Sequence, residues 1–212
     1  MGPIGLMAAY YAFQKGASRV IGIDNNWRLE WAQSKLPKLE VLNFGKIPSG
    51  SSVPTELRKM VDKGVDCALE CAAGEYAKGY GHKIEMALGM ETDTSEILNE
   101  MILSVKKFGS IGITGVYAGY TNHLNIGAIM ENGIRLIGNG QAPVLKYWEE
   151  LLQKIQSGEI DPTIMLSHRI DLEDVAKAYR IFDAKEEKMM KVFVQTKFSD
   201  PPAKGTPSLT RL

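Results

Sequence analysis

The sequence predicts an α/β fold built on a doubly wound parallel sheet. Three observations carry that expectation. Helical and strand periodicities alternate from residue 3 to residue 138. The strand segments are near-continuous apolar runs, as in Val65-Asp66-Cys67-Ala68-Leu69, which suits a sheet covered on both faces. Two glycines at the first helix are followed, at a set distance, by a strand ending in an acid.

The elements follow in order. Gly2-Pro3-Ile4-Gly5 is a turn running into a helix. Leu6, Ala9, Tyr10 and Phe13 fall on one face of that helix, and Gly16 stops it. Residues 19–24 form a strand ending in Asp24. Asn25 and Asn26 cap a helix over 27–35, and 39–44 is the next strand. A loop rich in Ser, Gly and Pro covers 46–54, with a helix over 55–62 and a strand over 65–71. A helix over 94–107 places Ile97, Met101 and Val105 on one face; strands cover 110–114 and 134–138. Beyond Gly140, Val144, Trp148, Leu151, Leu152 and Ile155 mark an amphipathic helix ending at Ser157-Gly158. Asp171 caps another, with Leu172, Val175, Ala176, Tyr179 and Phe182 inward, and 192–194 is a closing strand. The tail over 199–212, with three prolines, is expected to be disordered.

Glycines, helix, strand and acid form the second half of a dinucleotide-binding βαβ unit, so the predicted sheet is of Rossmann type with its first strand missing. Gly2 and Gly5 fit the second and third glycines of G-x-G-x-x-G, and Asp24 follows Gly5 by 19 residues. Gly2 lets the backbone approach a pyrophosphate, and Gly5 lets the helix pack close to the sheet. The N–H groups around Pro3 and Ile4 sit at the positive end of the helix dipole. An Asp carboxylate accepts hydrogen bonds from ribose hydroxyls and repels a 2′-phosphate, which favours NAD over NADP.

Composition narrows the function classes. Lys plus Arg equals Asp plus Glu at 25 each, so no basic surplus marks a nucleic-acid or membrane-surface binder. No run approaches the roughly 18 apolar residues that span a bilayer. Two cysteines make no disulfide framework, and a reduced, cytoplasmic setting is expected. Cys67 and Cys71 lack zinc-hairpin spacing and are expected to be core thiols. His82, His123 and His168 are scattered and unpaired by spacing, so no metal site is expected. Asp66 and Glu70 flank a buried strand and read as structural acids.

Larger motifs add a family resemblance. They are Gly2-Pro3-Ile4-Gly5-Leu6, Val20-Ile21-Gly22-Ile23-Asp24, Val65-Asp66-Cys67-Ala68, an insert with Gly79-Tyr80-Gly81-His82, and Gly112-Ile113-Thr114-Gly115-Val116-Tyr117. Gly140-Gln141-Ala142-Pro143-Val144, Gly158-Glu159-Ile160-Asp161-Pro162 and the segment from Leu172 to Tyr179 complete them. With these the chain resembles the medium-chain, zinc-dependent alcohol dehydrogenase superfamily, in particular its glutathione-independent formaldehyde dehydrogenase branch.

The resemblance implies a NAD-binding Rossmann domain over 1–140 and, over 141–198, a segment returning toward a catalytic domain. The family's GroES-like zinc domain has no counterpart here, so no zinc is expected and the chain alone is expected to be inactive. The resemblance implies cofactor contacts at Gly2, Pro3, Ile4, Gly5, Asp24 and Arg28. It adds Ala73 beside the adenosine, Lys78 in the insert, and Thr114 and Val116 at the nicotinamide carboxamide. Gly140, Gln141 and Ala142 lie near the nicotinamide, and Lys191 faces the pyrophosphate. It implies a small alcohol or aldehyde substrate in the intact family and a homo-oligomer, no nucleic acid and no membrane. A non-catalytic NAD-binding module and a methyltransferase stay open as alternatives; the returning C-terminal segment counts against the latter.

Overall fold

The computed structural model describes residues 1–72 and 93–212. Helix α1 (Pro3–Gln14) starts at a proline, whose missing N–H costs nothing in the first turn. Its first bond runs from the Leu6 N–H to the Gly2 carbonyl. Gly16 ends it in the left-handed region at φ 89°, which favours glycine. Leu6 and Ala9 are buried, and Tyr10 and Phe13 pack against the same cluster. Strand β1 (Ile21–Asp24) pairs in parallel with β2 (Glu40–Asn43), and α2 (Arg28–Lys35) connects them. Ala32, Leu36 and Leu39 join Leu6 and Ala9 in one core cluster.

After α3 (Val53–Met60), β3 (Val65–Glu70), β4 (Val105–Ile113) and β5 (Arg135–Gly138) form a second parallel sheet in that order. Helices α4 (Glu96–Ser104) and α5 (Ile126–Asn132) precede β4 and β5. Met101, Ile102, Val105, Ile111 and Ile134 form its core. Among the described residues no ladder joins the two sheets. Both sheets are parallel throughout, in the orders β1-β2 and β3-β4-β5, as in a doubly wound fold.

Some expectations need correction. The helix expected over 94–107 ends at Ser104, because Val105 pairs with Val65. The register then shifts before Cys67 meets Ser110, leaving Lys106 to Gly109 as a bulge with Phe108 at φ 60°. Strand β3 is not covered on both faces. No described strand pairs with its outer edge, and Cys67 and Leu69 are exposed, so Cys67 is no core thiol. The amphipathic helix expected to stop at Ser157-Gly158 is present as α6 (Val144–Gln156), and none of its residues is buried.

The C-terminal part pairs β6 (His168–Asp171) in parallel with β7 (Val192–Gln195) across α7 (Val175–Asp183). Ala178 and Ile181 turn inward onto Ile170 and Met189. Leu172, Tyr179 and Phe182, expected inward, lie on the exposed side. The tail expected to be disordered reaches this sheet: Leu209 bridges Arg169, and the Thr210 N–H donates to the Arg169 carbonyl at 2.7 Å. The C-terminal part also docks on α1. Met190 belongs to the Leu6 cluster, Ile164 and Met165 pack against it, and the Asp161 N–H donates to the Tyr10 hydroxyl at 3.2 Å. Among the described residues no helix is long and apolar enough to cross a membrane.

Because Leu6 shares one buried cluster with residues of α2 and the C-terminal part, Leu6→Ala should destabilise the chain by about 2–5 kcal/mol. Denaturant unfolding followed by circular dichroism checks this; a loss well under 1 kcal/mol would mean that the site collapses around the alanine.

Candidate cofactor-binding site

Asp24, Thr114, Val116 and Gly140 follow or end parallel strands at their carboxyl side, where open α/β sheets bind ligands. At the end of β1, the Asp24 carboxylate accepts from the Met1 ammonium at 2.5 Å and from the Asn25 N–H at 2.7 Å. The Met1 side chain lies over Gly22, where an added Cβ would stand 2.9 Å from its Sδ. Gly5 faces the same sulfur and the Cys71 Cβ at the end of β3; an added Cβ there would lie 3.6 and 3.8 Å away. Helix α1 thereby bridges the ends of the two sheets. Gly2 has open space around it, and Ile4 is exposed, so the first turn of α1 is accessible.

The crevice continues onto β4. The Thr114 N–H donates to the Glu70 carbonyl at 3.1 Å, and the Thr114 hydroxyl bonds to the same oxygen. Only the Thr114 carbonyl is therefore left for a ligand among its backbone groups. The Glu70 carboxylate is buried and accepts from Ala72 N–H at 2.5 Å and Gly115 N–H at 2.7 Å. Asp93, also buried, accepts from the Ala118 and Gly119 N–H groups at 2.8 and 3.0 Å. Between them the turn presents Val116, 69% exposed, to a cavity of about 550 Å³. Ile113, Gly138, Gly140 and Gln141 line that cavity with it. Tyr117 and Thr121 line it too, and their hydroxyl oxygens are buried without a hydrogen-bond partner. Burial pushes the Tyr117 hydroxyl pKa well up, with Glu70 and Asp93 adding to the effect, so it stays a neutral donor.

Gly2, Gly5, Asp24, Thr114, Val116, Gly140 and Gln141 thus line one run of strand ends and the α1 terminus. Ala142 follows immediately, its carbonyl bonded to the Val144 N–H. Arg28 opens α2 with its Nε buried and unpaired and its guanidinium 6.0 Å from the Trp27 ring centre. Lys191 stands just before β7; its carbonyl accepts from Ser167 N–H, and among the described residues no hydrogen bond or ion pair joins its side chain to the crevice. Ala73, Lys78 and His82 lie outside the described residues. Asp66 is exposed and ion-paired with Lys106, whose hydrogen bond holds its carboxyl pKa below the ordinary range. Glu70 and Asp93 are the contributors that sequence reasoning passed over as crevice residues. The one available signal was an acid closing an otherwise apolar strand.

A fold and crevice of this kind have known relatives. No family model matches the chain. A zinc-type alcohol dehydrogenase-like protein of Schizosaccharomyces pombe is 35% identical over 194 residues, covering 91% of this chain and 45% of the relative. The glutathione-independent formaldehyde dehydrogenase of Pseudomonas aeruginosa is 31% identical over 199 residues, covering 86% and 47%. The chain belongs to the zinc-type alcohol dehydrogenase family. It spans about half the length of these curated relatives. An Escherichia coli structure, a short chain alcohol dehydrogenase by description and complexed with NADH, superposes with a TM-score of 0.69 at 17% identity. It covers 92% of this chain and 50% of that one, and it supports the fold alone.

Burial raises the Cys71 thiol pKa, while Cys67 is exposed. Alkylation read by peptide mass spectrometry should label Cys67 first, with Cys71 labelling appreciably only as the pH is raised. Equal labelling rates at neutral pH would show that the α1–β3 junction is open.

Proposed function

We propose that this chain binds NAD across the strand ends and forms the cofactor-holding part of an oxidoreductase acting on a small alcohol or aldehyde. The observation that carries the reading is the convergence of the α1 first turn, Asp24, Val116 and Gly140-Gln141 on the carboxyl ends of both sheets. The residues fit the group. The open space at Gly2 admits a pyrophosphate, and the unpaired Tyr117 and Thr121 hydroxyls await polar partners. When bound, NAD would supply the hydride acceptor or donor.

The chain's own residues would bind and orient it. Gly2, Pro3, Ile4 and Gly5 would hold phosphate through the helix terminus. Asp24 would accept the adenosine ribose hydroxyls. Arg28 would border that ribose and Lys191 would face the pyrophosphate; Ala73 and Lys78, also expected to contact the cofactor, lie outside the described residues. Thr114, Val116, Gly140, Gln141 and Ala142 would flank the nicotinamide. In this reading 1–140 is the nucleotide-binding unit and 141–198 the segment that returns toward a catalytic part. The exposed edge of β5, with Leu136 and Ile137, is the expected surface for self-association.

Two measurements test this. NAD should bind at least tenfold tighter than NADP, about 1.4 kcal/mol, and Asp24→Asn should narrow that gap. Calorimetry with both cofactors decides it; equal affinities in the parent chain would remove the ribose role of Asp24. Cys67, Cys71 and the three histidines have no spacing that supplies a zinc-ligand set. The 212-residue chain should therefore reduce no NAD with alcohols or formaldehyde and should carry no stoichiometric zinc. Bound zinc with turnover, found by metal analysis and cofactor absorbance, would contradict this.

A further inference from the structure

Glu70 and Asp93 are the two buried acids among the described residues. Glu70 is 2% exposed, and no ion pair joins it to a cation among the described residues. Burying a carboxylate is costly unless donors surround it. Its donors are backbone N–H groups at the ends of two neighbouring strands: Ala72 after β3 at 2.5 Å and Gly115 after β4 at 2.7 Å. Its own carbonyl takes both the N–H and the hydroxyl of Thr114. The β3–β4 ladder already pairs residues 67–70 with residues 110–113, so the sheet does not need the side chain for its register. What the carboxylate adds is the position of the turn that begins at Gly115.

That turn has no slack. A Cβ on Gly115 would collide with both Glu70 carboxylate oxygens. Its far end is held by Asp93 through Ala118 and Gly119. Val116 and Tyr117, between the two acids, line the cavity with Gly138, Gly140 and Gln141. We propose that Glu70 is a positioning residue for the nicotinamide end of the cofactor, acting through the Gly115 N–H to fix Val116 against the cavity. This rests on the NAD reading above, and it assigns to Glu70 a task on one half of the cofactor only.

Glu70→Gln keeps the shape but turns an amide NH₂ toward one of the two backbone donors, so one of the bonds is lost. Calorimetry with NADH and with ADP-ribose, which lacks the nicotinamide, separates the two halves. NADH should bind roughly tenfold more weakly to the variant, with ADP-ribose within about twofold of the parent. The fluorescence change of the reduced nicotinamide on binding should shrink in parallel. Gly115→Ala, forced against the same carboxylate, should reproduce the selective loss, and the double variant should lose less than the sum of the two. The two single variants are independent routes to one result, so a failure of either to fold leaves the other to decide. Equal weakening of both ligands, or of neither, overturns the positioning role. A parent chain that binds ADP-ribose but gives no nicotinamide signal with NADH also overturns it, while leaving the adenosine end intact. A parent that binds neither ligand overturns the NAD reading and this inference with it.

Discussion

Leu6 has no exposed surface, and it sits where three parts of the chain meet. Its cluster takes Ala32 from α2, Leu36 just after that helix, Leu39 just before β2, and Met190 from the C-terminal part. Fully burying one leucine is worth about 1.5–3 kcal/mol. Its position matters more than that figure. The residues around it come from positions 9, 32, 36, 39 and 190, so the contact closes long loops as well as burying area. With α1 pinned on that side, its first turn and Gly5 are carried to the ends of β1 and β3. The crevice is a consequence of that placement.

The strand ends themselves are finished by carboxylates. Parallel strands that stop leave N–H groups pointing into the following turns, and each must find an acceptor. Asp24 accepts from Asn25 after β1; Glu70 accepts from Ala72 and Gly115 after β3 and β4. Asp93, at the start of the segment leading into α4, accepts from Ala118 and Gly119. The acids are alike in chemistry and differ in surroundings. Asp24 keeps some exposure, which suits exchange with a ligand. Glu70 is sealed in and holds backbone, which suits a fixed turn.

Much of the fold was legible in the residues. The face of α1, the acid at Asp24, the strands at β2, β3 and β5 and the helix at α6 all follow from local periodicity and from Gly and Pro punctuation. The misreadings share one cause. Lys106 and Lys107 continue a helical pattern perfectly well, but Val105 pairs across to Val65, and strand pairing overrides propensity. Tyr179 and Phe182 look like core residues, yet the packed face of α7 is the side bearing Ala178 and Ile181, chosen by Ile170 and Met189. The tail resembles a disordered segment by composition and still finds the backbone of Arg169.

The sequence by itself determined the alternation of elements, the parallel α/β class, the glycine–acid pattern at α1 and β1, and the family. These depend on residue identity at short spacing, which a chain carries without folding. Only the tertiary structure decided which acids work at the crevice. Glu70 and Gly115 are 45 residues apart, and Asp93 and Ala118 are 25 apart. No periodicity links them. Their meeting is set by the β3–β4 register and by where α4 begins, and a hydrogen bond 2.7 Å long exists only once both strands have been laid side by side.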